Sequence, residues 1–117
     1  MEWLFNSIQN ASNKGYLDEF GNVYTGLIAT GDKFISEEGD VMKLKKDFNN
    51  LLGVEMEGAS VAQVAIQEKI PWQIIRVISD NANDSSPKDF QSFIKSYQNN
   101  SAKIVKTIID NIHSAPF

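Results

Sequence analysis

The sequence predicts an α/β fold of three layers, α/β/α, with helices around a mostly parallel sheet. Two observations carry this. Apolar β-rich runs alternate with helix-patterned runs along the whole chain, in the order α, β, α, β, α, β, α. The run "PWQIIRVISD" (71–80) has apolar residues pointing to both faces, as a central strand covered on each side does. The 117 residues suffice for one domain, and no internal repeat or long linker divides them.

The elements follow in order. "MEWLFNSIQNASNKG" places Trp3, Leu4, Ile8 and Ala11 at helical spacing, with Gly15 as the stop. A helix opening at residue 1 reads as though something precedes it. "NVYTGLIATG" (22–31), bounded by Gly21 and Gly31, is a strand. "SEEGDVMKLKKDFNN" (36–50) is helical through Val41, Leu44 and Phe48. "LLGV" (51–54) is a short buried strand. Residues 57–70 are a helix with Val61, Ala62, Ala65 and Ile66 on its buried side. After the 71–80 strand and a polar loop, Ser86, Pro87 and Asp89 announce a helix as N-cap, first position and acidic third position. Phe90, Phe93, Ile94, Tyr97, Ile104, Ile108 and Ile112 continue its apolar stripe to the end.

Composition narrows the function. The net charge is -4 and the lysines are scattered, so no basic stripe is present for nucleic acid. There is no cysteine and one histidine, His113, which excludes thiolate chemistry and Cys- or His-pair metal sites. His113 reads as a solvated tail residue. No apolar run is long enough to span a bilayer, and the N-terminus lacks the basic and apolar regions of a secretory signal. A cytoplasmic protein with no membrane partner is expected.

Ligands of open α/β sheets bind outside the carboxyl ends of the strands. The chain places "TGDKFI" (30–35), "EMEG" (55–58) and "SDNAND" (79–84) there, with acids directly abutting two strand ends. Arg76, inside the buried run, needs a carboxylate partner, and Glu55 or Glu57 can supply it. A purely structural Arg–Glu pair is the plain alternative. On a strand, Arg76 and Asp80 share a face while Ser79 looks the other way. Glu57, at a helix start, is kept ionised by free backbone N–H groups, whether as cap or as ligand to hydroxyls. Gly58 and Ala59 allow close approach of a ligand or backbone. Burial is expected to raise the pKa of Asp80, which suits proton donation. Phe34 offers a flat face to a planar ring, or is ordinary core.

"GLIATGDKFI", "VEMEGASVAQVA" and "IIRVISDNAND", in this order and spacing, resemble the 5'-methylthioadenosine/S-adenosylhomocysteine nucleosidase family of the purine nucleoside phosphorylase superfamily. The resemblance runs from about residue 16 to 112. It implies a phosphorylase/hydrolase-like fold and hydrolysis of the N-glycosidic bond between adenine and a 5'-thioribose, without metal or cofactor. It also implies a role for each matching residue. Asp80 donates a proton to the purine, and Ser79 fixes Asp80 and the base. Glu57 holds the ribose hydroxyls and Met56 lies against the sugar. Phe34 stacks on adenine, and the backbone of Ile35 reads the adenine edge. Arg76 positions the attacking water, Phe90 borders the pocket for the 5' substituent, and Glu55 is a supporting acid. A homodimer is implied as well.

The resemblance covers only the C-terminal half of such proteins, so residues 1–117 are expected to be a partial domain. The glutamate that activates water in the family lies in the other half. The isolated chain is therefore expected not to turn over. Two other readings stay open: a purine nucleoside phosphorylase, using phosphate instead of water, and a non-catalytic adenine-binding domain.

Overall fold

The sheet is smaller than the sequence predicts. In the computed structural model, which describes residues 2–98 and 100–114, β1 (Leu27–Thr30) and β2 (Leu51–Glu55) form a two-stranded parallel sheet. Leu27 lies opposite Leu51; after an irregularity, Ile28, Ala29 and Thr30 lie opposite Gly53, Val54 and Glu55. The two strands therefore end together, and the Gly31 N–H extends the pairing to the Glu55 carbonyl at 3.1 Å. Helix α2 (Glu38–Asp47) makes the crossover that a parallel pair requires. The other helices are α1 (Glu2–Asn13), α3 (Gly58–Gln67), α4 (Ser86–Tyr97) and α5 (Ala102–Asp110), with single 3-10 turns at Asp18–Phe20 and Ile112–Ser114.

The chain divides into two compact units, Met1–Thr25 with Ile94–Phe117, and Gly26–Phe93. In the first, α1 packs on α5. Leu4, Ile8, Ala11 and Leu17 form its buried core, with Trp3, Phe20, Val23, Ile104 and Ile108 packed against them. The helical spacing read in the sequence thus identifies the core face of α1. Gly15 ends that helix at φ 81°, and the Tyr16 N–H turns back to the Ala11 carbonyl at 3.0 Å. Phe20 meets Tyr97 edge to face, with ring centroids 6.1 Å apart. His113 is exposed, as expected.

The second unit holds the sheet, α2, α3 and residues 71–80. On α3, Gly58 and Ala62 are buried, one turn apart, whereas Val61 and Ile66 are exposed. The expected buried side, with Val61 and Ile66, is therefore too wide. A two-stranded sheet offers little surface to cover it.

Residues 71–80 depart furthest from expectation. Their apolar pattern predicts a central strand, yet among the described residues they pair with neither β1 nor β2. Ile75 and Ile78 are exposed. A central strand needs hydrogen-bonded strands along its edges, and the described residues pair none with it. The last helix also differs. Instead of running from 86 to the end, it breaks after Tyr97, where the N–H groups of Asn100 and Ser101 turn back to the Tyr97 carbonyl at 2.9 and 2.8 Å. Asn and Ser compete with helix through their own side chains and mark such breaks. Asn99 lies outside the described residues.

Leu4→Ala removes the most N-terminal member of the α1 core and is expected to lower stability by about 2–5 kcal/mol. Urea unfolding followed by Trp fluorescence measures it. A loss below about 0.5 kcal/mol, the scale of a surface change, contradicts the placement of that core.

Candidate active site

Glu55 is the last residue of β2, and its carboxylate, 8% exposed, turns into the start of α3. It accepts hydrogen bonds from the Gly58 N–H, at 2.7 and 2.9 Å to its two oxygens, and from the Glu57 N–H at 3.1 Å. The Thr30 hydroxyl donates to it from the end of β1, and the Arg76 guanidinium pairs with it from the 71–80 segment. Burial raises the Glu55 pKa, but the Thr30 hydroxyl, the two backbone N–H groups and Arg76 together outweigh it, bringing it from 4.5 to about 2. The Thr30 hydroxyl also accepts from the Ala59 N–H at 3.2 Å. One carboxylate and one hydroxyl thus satisfy the free donors of α3's first turn, where the helix dipole favours an anion.

Gly58 makes this approach possible. A Cβ there would stand 2.7 Å from both a Glu55 carboxylate oxygen and the Ile74 Cδ1. The sequence predicts close approach at Gly58, and the group that approaches is the Glu55 side chain.

The sequence also predicts that the helix-start donors go to Glu57. The geometry corrects it: Glu57 precedes α3, but its side chain makes no capping bond and is 71% exposed. Its carboxylate is held by Arg76 at 3.1 Å. Arg76 therefore bridges a buried glutamate and an open one. It is itself 38% exposed, which corrects the expectation of a guanidinium buried on both sides. Met56, between the two acids, is exposed.

Asp80 is half-buried beside the polar loop. The Ser79 hydroxyl donates to it at 2.8 Å and the Ala82 N–H at 2.8 Å. Ser79 and Asp80 therefore work together, and strand alternation, which put them on opposite faces, does not apply to this segment. Burial pushes the Asp80 carboxyl up, but the hydroxyls of Ser86 and Ser79 and the Ala82 N–H hold it below its ordinary 3.8. The expected rise is thus reversed, because burial here brings donors with it. Ser86 is fully buried and also accepts the Asn83 N–H at 2.7 Å. It faces the loop rather than capping α4 as the sequence predicts. Ser85 instead meets the first turn, through its hydroxyl to the Asp89 carboxylate at 2.7 Å.

Phe34 and Phe90 meet edge to face, with centroids 6.1 Å apart and planes at 74°. Phe34 remains exposed, and Ile35 beside it is half-buried. Lys33 ties this loop to α2 through Asp40 at 2.5 Å. The predicted residues thus gather into three groups in one unit: Glu55, Glu57 and Arg76; Ser79 and Asp80; Phe34 and Phe90. Sequence reasoning missed two hydroxyls, Thr30 and Ser86. Thr30 was legible in principle, since it ends β1 in register with Glu55. Ser86 was read only as a cap. Among the described residues, no group of three or more His, Asp or Glu side chains is placed to hold a metal ion.

Residues 4–110 match the phosphorylase superfamily. The chain belongs to this superfamily. Its relatives within the superfamily include the 5'-methylthioadenosine/S-adenosylhomocysteine nucleosidase of Colwellia psychrerythraea, 40% identical over 88 residues that make up 75% of this chain and 36% of that protein. A crystal structure of a Colwellia psychrerythraea nucleosidase of this name, in complex with adenine, aligns with a TM-score of 0.70 at 36% identity, covering 88% of this chain and 44% of that one. A structure from Borrelia burgdorferi B31 assigned to the same nucleosidases, also bound to adenine, aligns at 0.79 and 40% identity, covering 94% and 46%. A futalosine hydrolase of Helicobacter pylori aligns at 0.68 and 36% identity, covering 87% and 44%. The chain spans less than half the length of the curated relatives it matches.

Thr30→Val keeps the shape of the side chain and removes its hydroxyl, leaving Glu55 and the Ala59 N–H one partner short. A stability loss of about 1–3 kcal/mol is expected, with Thr30→Ser close to wild type. Equal loss in both variants, read by urea unfolding, would mean that Thr30 matters for packing alone.

Proposed function

We propose that this superfamily member carries the purine- and ribose-binding side of a nucleosidase that cleaves the N-glycosidic bond of 5'-methylthioadenosine and S-adenosylhomocysteine. The observation that carries the reading is that one unit holds two acids of different character. Asp80 is half-buried among hydroxyl donors, and Glu57 is an open carboxylate steered by Arg76. Similarity to adenine-bound nucleosidases at 36–40% identity supports it.

In this reading Asp80 faces the purine and Glu57 the sugar. Adenine leaves readily only when a ring nitrogen is protonated, and the sugar then develops oxocarbenium character that an anion stabilises. The free site holds Asp80 as a carboxylate. A purine that covers Asp80 and draws the Ser79 hydroxyl toward the ring adds burial and removes a donor. Both changes raise the Asp80 pKa toward the range of a general acid. Phe34 and Phe90 give the planar base an aromatic wall, beside the backbone of Ile35, and Met56 adjoins the sugar. Arg76, whose guanidinium is committed to Glu55 and Glu57, acts as a positioning group for Glu57 rather than as a holder of water. The reading includes the homodimer that the resemblance implies and the cytoplasmic setting that the sequence leads one to expect. Among the described residues, no helix is long and apolar enough to cross a membrane.

Calorimetry on the 117-residue chain tests the assignment. Asp80→Asn is expected to weaken adenine binding by about tenfold to a hundredfold, the scale of a lost hydrogen bond to a charge. Glu57→Gln is expected to weaken methylthioadenosine binding while sparing adenine. Equal losses for both ligands in Glu57→Gln would make that residue structural. Unchanged adenine affinity in Asp80→Asn would remove Asp80 from the base site.

Adenine release from methylthioadenosine by the chain alone is expected to stay at background, because Glu55 is taken up by its donors and Glu57 is assigned to the sugar. Robust release would show that one of them activates water.

A further inference from the structure

Ser86 is fully buried and is clasped to the loop before it. Its N–H donates to the Asn83 carbonyl at 2.9 Å, and its hydroxyl accepts the Asn83 N–H at 2.7 Å. The chain turns at Ala82, whose φ of 54° is uncommon for a residue with a side chain. That turn sends two successive N–H groups to two different neighbours. The Ala82 N–H goes to the Asp80 Oδ1 at 2.8 Å, and the Asn83 N–H goes to Ser86. The Ser86 hydroxyl is thereby brought beside Asp80, to which it donates. A serine hydroxyl has one proton to give. At Ser86 no solvent competes for it, and Asn83 occupies the accepting side. Ser79 differs. It is half-buried, and its hydroxyl meets the Asp80 Oδ2 at 2.8 Å, where a ligand can draw it away. Among the described residues no ion pair engages Asp80, so neutral donors hold it. Once Ser79 turns to a base, Ala82 and Ser86 are the donors that remain.

We propose that Ser86 is a positioning residue of the purine site: its buried hydroxyl ties the loop at Asn83 to the Asp80 carboxylate and leaves Oδ2 free for the base when Ser79 lets go. Ser86 touches no ligand and acts through Asp80. This role rests on the reading of Asp80 as the acid that faces the purine. It divides the two serines by burial. The half-buried one exchanges partners on binding, and the fully buried one keeps the acid from swinging while that happens. A site whose acid stays in place loses less freedom when the base arrives.

NMR of hydroxyl protons and carboxyl carbons in the 117-residue chain, with calorimetry, tests this. In the wild-type chain the Ser86 hydroxyl proton is expected to exchange slowly enough to be seen, with and without adenine, whereas that of Ser79 shifts when adenine is added. Ser86→Ala should move the Asp80 midpoint up toward 3.8. It should also weaken adenine and methylthioadenosine binding alike, by about tenfold. Ser86→Cys keeps a weaker donor and should fall between. Ser85→Ala removes an exposed hydroxyl of the same loop, one that meets Asn83 and Asp89, and should change neither readout. In the Asp80→Asn background, Ser86→Ala should cost no further adenine affinity. The hydroxyl-proton signal is read on the wild-type chain, so it stands even where Ser86→Ala does not fold. Three results overturn the proposal: a Ser86 hydroxyl proton that exchanges as fast as that of Ser79, an Asp80 midpoint that Ser86→Ala leaves unmoved, or a tenfold loss that persists in the Asp80→Asn background. Failure of the wild-type chain to bind adenine would instead overturn the reading of the base site, and is told apart because the titration of the free chain needs no ligand.

Discussion

The anchoring interaction of the Gly26–Phe93 unit is the carboxylate of Glu55 seated in the first turn of α3. It receives the Gly58 and Glu57 N–H groups, the Thr30 hydroxyl and the Arg76 guanidinium. Through these it joins both strand ends, the following helix and the 71–80 segment. Apolar packing in this unit is thin, since Ala62 is its only buried hydrophobic residue among those described. A network of charge-assisted hydrogen bonds therefore does the positioning that a core would otherwise do. Leaving a buried carboxylate short of partners is costly, so the arrangement is specific as well as stabilising.

This constraint also explains how two neighbouring glutamates come to differ. Gly58 admits the Glu55 side chain beneath the helix start, which consumes the donors that Glu57 would otherwise have met. Glu57 is left open at the surface, steered by one arm of Arg76. A fixed, accessible carboxylate is what a sugar with developing positive charge requires. Asp80 is built on other terms: its donors are two hydroxyls and one loop N–H, and hydroxyls can rotate toward a ligand. The proposed division of labour between sugar and base follows from that difference in donors.

Much of this was legible in the sequence. The positions of α1, α2, α3, β1 and β2 follow from periodicity and glycine punctuation, and the abrupt run of acids into Gly58 and Ala59 marks the site. Other features were not legible, for physical reasons. An apolar decapeptide states a preference for burial but not whether neighbours exist, so residues 71–80 read as central while standing open. Which glutamate enters the helix start depends on a close approach of 2.7 Å that spacing does not encode. The direction of the Asp80 pKa depends on Ser86, six residues on and brought back by the loop. The three-layer α/β/α class agrees with the superfamily, although only two strands pair among the described residues.

The central claim is that Glu55 is an anion held by its donors. An NMR titration of its carboxyl carbon in the 117-residue chain tests this most directly. The folded-state pKa, about 2, lies below the ordinary 4.5. The stability that Glu55 contributes is therefore fully present above 4.5 and is lost as pH falls toward 2. The account predicts a chemical shift that stays flat from neutral pH down to about pH 3, while exposed carboxylates titrate near their usual values. A midpoint near 4.5 would mean that Glu55 is an ordinary solvated acid and would contradict the account.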